Sequence, residues 1–239
     1  MSPPKPTRLG VLVPSSNTAL EPLTTAIISA LPNVTVHFSR FPVTEISLSA
    51  QALSQFDDSK ILEAATLLQH ANVDVIGWSG TSAGWLGLGA DERLCARIEE
   101  VTGIRATTSE AEAVRFGLVT PYLDDVQQKI VETFGGAGFE VVAESHLGRK
   151  VNVEFAEITE QQLDSQMKDV VSKMDQESVM LVSTFCTNLR AAQRLAHWEK
   201  TYPGLIVADT VATVIWDMLK IAGVDPSGVK GWGALFSKT

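Results

Sequence analysis

Two apolar runs of this chain end in turns that can do chemistry. SVMLVSTFCTNLR stops at Cys186, and VDVIGWSGTSAGW stops at Gly80. A thiol at the end of a buried strand, where a helix would begin, sits where backbone N–H groups favour thiolate. Such a group serves as a nucleophile, or as a proton donor and acceptor at carbon. Simple packing is the alternative, because unpaired cysteine is among the most buried residue types. Thr187 and Asn188 beside Cys186 argue for a site, whereas Cys95, in the amphipathic pattern RLCARIEE, reads as packing. After Gly80 come Thr81 and Ser82, then Gly84, Gly87 and Gly89. Hydroxyls and close-lying backbone N–H groups suit an oxyanion. Glycine-rich strand-to-helix turns also occur with no ligand, and this one has neither the lysine of a phosphate-binding loop nor a G-x-G-x-x-G fingerprint.

Two further turns carry polar groups. In PSSNTALEP, Pro14 is followed by Ser15, Ser16, Asn17 and Thr18 before a helical pattern starts. Hydroxyls, an amide and free N–H groups at a helix start can seat a carboxylate, or one of them can cap the helix. Capping needs only one such residue, and four in a row favour a ligand. Tyr122 follows Pro121 in the position that Ser15 holds after Pro14. Its phenol can donate to a developing enolate oxygen, or lie half-buried with a wet hydroxyl. Trp78 and Trp85 either line the same region or belong to the core. His37, His70, His146 and His197 show neither metal-ligand spacing nor proximity to these turns, so no metal site is expected.

These turns need a scaffold, and the chain supplies one twice. Apolar runs at Leu9–Pro14, Val34–Phe41, Val73–Ser79, Arg115–Pro121, Phe139–Leu147, Val179–Thr184 and Leu205–Asp209 read as buried strands. Helical patterns alternate with them, and Gly103, Gly135 and Gly204 fall where helices should stop. The register repeats: GVLVP at Gly10 matches GLVTP at Gly117, 107 positions on, and Gly80-Thr81-Ser82 aligns with Cys186-Thr187-Asn188, 106 positions on. The expected fold is therefore α/β, with two similar Rossmann-like halves bearing parallel sheets. The first half spans 1–114, the second 115–208, and 209–239 returns to the first through a helix at Thr210–Ala222. Ligands of open α/β sheets bind beyond the carboxyl ends of the strands, which places the site in the cleft between the halves.

Composition narrows the function. The 239 residues carry a net charge of −9 with 45% hydrophobic content. That balance argues against a nucleic-acid surface, which needs clustered Lys and Arg, but permits a small anionic substrate. No apolar run reaches the roughly 18–20 residues of a membrane helix. MSPPKPTR lacks a signal-peptide core, and two cysteines make no disulfide framework. A cytoplasmic protein is expected, free of nucleic-acid and membrane partners. A homo-oligomer stays open, symmetric dimers being the commonest assembly.

Taken together, PSSNT, GTS, TPY and CTN resemble the aspartate/glutamate racemase superfamily, in its maleate cis–trans isomerase and arylmalonate decarboxylase branch. The resemblance spans essentially the full chain. It implies two α/β halves related by a pseudo-twofold axis, with a cofactor-independent site between them that binds a carboxylate or dicarboxylate. Racemases and isomerases of this kind carry one cysteine per half; Cys186 matches the second, and Gly80 stands where the first would be. Glycine there resembles the decarboxylase, in which a single cysteine protonates an enediolate after loss of CO₂. The resemblance makes Cys186 the proton donor and gives Thr81, Ser82 and Tyr122, with backbone N–H groups, the oxyanion. Ser15, Asn17 and Asn188 would hold a second carboxylate, as in the isomerase, because PSSNT and CTN are isomerase-like. Decarboxylation of a substituted malonate is the leading expectation. Cis–trans isomerisation or an amino-acid or hydantoin-type racemisation is the alternative, and a non-catalytic dicarboxylate-binding module a second one.

Overall fold

The computed structural model describes residues 5–108, 114–175 and 180–237. The first sheet and its helices comprise β1 (Thr7–Pro14), α1 (Leu20–Ile28), β2 (Val34–Phe41), α2 (Ala50–Leu53), α3 (Asp58–His70), β3 (Val75–Trp78), α4 (Ala83–Leu86), α5 (Gly89–Thr102) and β4 (Ala106–Thr107). The second comprises β5 (Arg115–Val119), α6 (Asp124–Gly136), β6 (Glu140–Ser145), α7 (Glu160–Ser172), β7 (Met180–Thr184), α8 (Leu195–Thr201) and β8 (Leu205–Asp209), followed by α9 (Thr210–Ile221). Each sheet has four strands, ordered β2-β1-β3-β4 and β6-β5-β7-β8, so the two share one topology. Every ladder between them is parallel.

The repeated glycines have a packing cause. A Cβ at Gly10 in β1 would lie 2.9 Å from Val73 Cγ2 and 3.2 Å from Leu68 Cδ1. Its counterpart Gly117 in β5 faces Val170 at closer range still, with Met174 Sδ at 3.0 Å and Val182 at 3.1 Å. In each sheet the crossover helix thus presses on the strand where it lacks a side chain. Gly77 of β3 does the same for α9, whose Val214 Cγ1 would be 2.9 Å from an added Cβ and whose Met218 crowds it further. The C-terminal helix therefore lies on the first sheet while following the last strand of the second.

Helix ends follow local chemistry. Thr159 and Gln162 form a capping box on α7, and Gly103 ends α5 in the left-handed region at φ 69°. Gly135 does not stop α6. It lies inside the helix, which the chain leaves at Ala137, and Gly138 takes the positive φ of 90°. The pattern from Leu189 to Gly204 also divides, into a 3-10 turn (Arg190–Arg194) and the short α8, with Gly204 at φ 82° ahead of β8. Several strands are trimmed at their ends relative to their apolar runs, and Val179 lies outside the described residues. The two-residue β4 has no apolar run to announce it.

These contacts make opposite predictions for two glycines. Gly117→Ala should lower the urea-unfolding free energy by about 1–3 kcal/mol through overpacking. Gly135→Ala, which meets nothing within 4 Å, should raise it by about 0.5–1 kcal/mol.

Candidate active site

The strand-end turns converge. Pro14 ends β1, Gly80 follows β3, Tyr122 follows β5 and Cys186 follows β7. Together with Thr81, Ser82 and Thr187 they line one cavity of about 20 Å³ between the sheets. Its remaining walls are Trp78, Asn152 and an apolar set of Phe41, Val43, Ile46, Phe56 and Trp85. About one water fills such a volume, so a substrate enters only when the walls part. The segment carrying Val43 and Ile46 is tied across to the second sheet's loop. Glu45 and Val151 form an antiparallel bridge, Ile46 N donates to Lys150 O at 3.0 Å and Asn152 N to Thr44 O at 3.1 Å. A Lys150–Glu45 ion pair at 3.2 Å accompanies them.

Ser15, Asn17 and Asn188 are not among the lining residues. The Ser15 hydroxyl serves Val43, donating to its O at 3.2 Å and accepting from its N at 3.1 Å. Asn17 Oδ1 accepts from the N–H groups of Ala19 and Leu20 at 3.0 and 2.9 Å, just ahead of and at the start of α1, while its Nδ2 donates to Thr187 Oγ1 at 3.1 Å. Asn188 Oδ1 accepts from Thr18 N and Ala19 N at 2.9 and 3.1 Å, and Nδ2 donates to Asn152 O. Both amides are fully buried and are committed to joining the two sheets. Hydrogen bonds at the start of α1 and across the sheets thus engage the two amides that the sequence offered to a carboxylate.

The thiol sits in a nest of donors. Cys186 is 3% exposed; the Tyr122 hydroxyl and the N–H groups of Asn188 and Leu189 donate toward its sulfur. Tyr122 in turn shares a 2.8 Å hydrogen bond with Thr81 Oγ1. Those donors favour thiolate, but burial outweighs them, and with the nearby Asp209 charge it pushes the thiol up to about 11. The thiolate expected from a helix start is therefore not the resting form. No α-helix opens behind Cys186; the chain makes a turn, Leu189 N to Cys186 O at 3.2 Å, and then the 3-10 segment. Burial likewise drives Tyr122 well above the ordinary phenol range. Cys95 is half-buried against the core on α5.

Two carboxyl groups escaped sequence reasoning. Asp209 is completely buried, with Oδ1 accepting from Val211 N and Ala212 N at 2.9 and 3.1 Å and Oδ2 accepting from Thr184 Oγ1 at 2.7 Å. Asp91 accepts from Trp78 Nε1 at 2.9 Å and Thr108 Oγ1 at 3.1 Å. Burial raises each to about 6 against those donors. Asp209-Thr210 before an apolar helix was a readable cap signal; Asn152, opening a short 3-10 segment (Asn152–Glu157), offered none. His146 instead pairs with Asp124 and Glu144 away from the lining residues. Among the described residues no group of three or more His, Cys, Asp and Glu could hold a metal, and no helix is long and apolar enough to cross a membrane. A larger cavity of about 400 Å³ also touches Gly80 and is walled by Phe116, Phe134, Phe139 and Phe185. Neither cysteine is among its lining residues, whereas Cys186 lines the smaller one.

Two outcomes follow for measurement. Near neutral pH, iodoacetamide should label Cys95 ahead of Cys186 in the folded protein and both alike in urea, as mass spectrometry would show. Asp91 and Asp209 bind their protons more tightly folded (about 6) than unfolded (3.8). Their protonated forms therefore support the fold below pH ~4, and that support is lost as pH rises through 6. Asp209→Asn should flatten the fall in urea stability across this window, by on the order of 3 kcal/mol.

The chain has relatives along nearly its whole length. A family model described as arylmalonate decarboxylase matches residues 9–236. A maleate isomerase of Pseudomonas putida is 27% identical across 96% of this chain and 97% of its own. The maleate isomerase Iso of Pseudomonas putida S16, solved as a cysteine-to-alanine variant with maleate, superposes with a TM-score of 0.85 at 23% identity, covering 98% of each chain. A cysteine-to-serine variant of Nocardia farcinica maleate cis-trans isomerase, with a covalently bound succinylcysteine intermediate, gives 0.84 at 20% identity, covering 98% of this chain and 99% of that one. Arylmalonate decarboxylase gives 0.75 at 18% identity, covering 97% and 100%. These superpositions establish the shared fold of two parallel four-stranded sheets, and on the match from residue 9 to residue 236 the chain belongs to the arylmalonate decarboxylase family.

Proposed function

We propose that this protein decarboxylates a substituted malonate without a cofactor and protonates the product on one face from Cys186. The carrying observation is a cavity with one thiol, Cys186, held in its protonated form beside the Thr81–Tyr122 hydroxyl pair. In this reading the bond from the α-carbon to one carboxylate breaks and CO₂ leaves. The electron pair stays behind as an enediolate. The S–H proton of Cys186 then moves to the α-carbon, and the thiolate is reprotonated from solvent.

Each part of the cavity supports a step. Hydroxyls of Thr81, Ser82 and Tyr122 would donate to the enediolate oxygens, and fixed donors in a low-dielectric site are worth more than in water. The same Tyr122 hydroxyl and the two N–H groups at the Cys186 sulfur stabilise the thiolate left after proton transfer. The apolar wall of Phe41, Val43, Ile46, Phe56 and Trp85 disfavours a carboxylate relative to neutral CO₂. A group at about 11 is a resting acid, which suits proton delivery better than nucleophilic attack.

A second reading is isomerisation of a maleate-type dicarboxylate, favoured by the 27%-identical maleate isomerase. It has to proceed with Cys186 and no thiol at position 80. Proton NMR in deuterated buffer, with substituted malonates, maleate and chiral amino acids, separates the cases. Decarboxylation should place one deuteron with a single configuration, and Cys186→Ala should lower that rate by about 10²–10⁴-fold. Unchanged turnover in Cys186→Ala removes the mechanism. Maleate converted to fumarate establishes the second reading. Thermal stabilisation by dicarboxylates without product marks a binding protein.

A further inference from the structure

Trp78 and Gly80 of the first sheet correspond, 106 positions on, to Thr184 and Cys186 of the second. The large and small members are exchanged: indole and hydrogen on one side, small hydroxyl and thiol on the other. Gly80 is not among the residues with left-handed backbone, so its bare α-carbon reflects lack of room rather than conformation. A Cβ there would lie 2.6 Å from Cε2 and 3.0 Å from Cη2 of Trp78, with Cζ2 nearer still. Close-packed interiors do not absorb such an overlap without movement.

The indole is held against retreat. Trp78 is 1% exposed, its Nε1 donates to Asp91 at 2.9 Å, and its ring centroid lies 5.2 Å from that of Phe41. Asp91 is itself fixed by the Thr108 hydroxyl at 3.1 Å. Both Trp78 and Gly80 line the cavity that holds Cys186. The ring thus takes the space that a side chain on residue 80 would need to reach a substrate.

We propose that Trp78 is a specificity-determining residue that makes proton delivery one-sided. Its indole, clamped by Asp91, bars both water and a second acid from the first sheet's side of the cavity and leaves delivery to Cys186. The stereochemical role rests on the decarboxylase reading of the site; the steric exclusion does not.

The test is a cycle in the full chain: Gly80→Cys, Trp78→Thr and the pair, which copies the Thr184–Cys186 arrangement onto the first sheet. Trp78→Phe, which keeps a ring but shortens it, serves if Trp78→Thr does not fold. Urea midpoints report packing whatever the reaction. Gly80→Cys should lower the midpoint, and the pair should be more stable than the separate losses predict. Additive losses, or a Gly80→Cys protein as stable as the parent, overturn the exclusion. Deuterium placement reports the face. The parent should give one enantiomer, the Trp78 variants should lose enantiomeric excess, and the pair should racemise isolated product with exchange of its α-hydrogen. A single enantiomer from folded Trp78 variants overturns the stereochemical role. Absence of CO₂ release from every malonate by the parent overturns the decarboxylase reading and that role with it, while the urea cycle still decides the exclusion.

Discussion

The side chain of Asn188 joins the two sheets at the point where the thiol stands. Its carbonyl oxygen takes the N–H groups of Thr18 and Ala19 ahead of α1, and its amide nitrogen reaches the backbone of Asn152. Asn17 reaches back the other way to Thr187. A helix start buried against another sheet leaves N–H groups that water cannot satisfy, and these two amides satisfy them. Asn188 lies two residues beyond Cys186, so the turn that docks the sheets is also the turn that aims the sulfur. Loosening the clamp would expose unpaired polar groups in a dry place, a cost of roughly 1–3 kcal/mol for each. The site's geometry is therefore held by assembly rather than by any one element.

Burial then sets the electrostatics. Around Cys186 the local hydrogen bonds all point toward thiolate, yet desolvation leaves a thiol. The same balance raises Asp209 and Asp91. A narrow, largely apolar cavity makes charge expensive at rest and makes each fixed donor count for more when charge develops. This combination is what the proposed decarboxylation draws on, with a carboxylate entering, a neutral gas leaving and a proton moving to carbon.

The scaffold is symmetric in topology and asymmetric in content. One strand order occurs twice, with crossover helices seated on matched glycines. At the turns the repeat yields to the site: Gly80 against Cys186, Ser15 against Tyr122. A duplicated framework offers two walls of one cavity, and unequal side chains let the walls do different work. Packing at Gly10 and Gly117 constrains the repeat, whereas the turns carry the differences, with Gly80 kept bare by its own neighbour Trp78.

Sequence alone determined the α/β class, the repeat and the strand ends at which Pro14, Gly80, Thr81, Ser82, Tyr122, Cys186 and Thr187 gather. These are consequences of period, of turn chemistry and of the rule that open sheets bind at their carboxyl ends. What lay beyond it were properties decided by distant neighbours. The amides of Asn17 and Asn188, expected at a carboxylate, are hydrogen-bonded at the start of α1 and across the sheets, and Asn152 enters the cavity from a short 3-10 segment with no pattern to read. Gly135 looked like a stop, but α6 runs one residue further, to Gly136, before Gly138 takes the left-handed turn. The protonation of Cys186 turned on burial, which no local motif records: the thiolate-favouring N–H groups were legible in the turn, while the desolvation that defeats them belongs to walls drawn from both sheets.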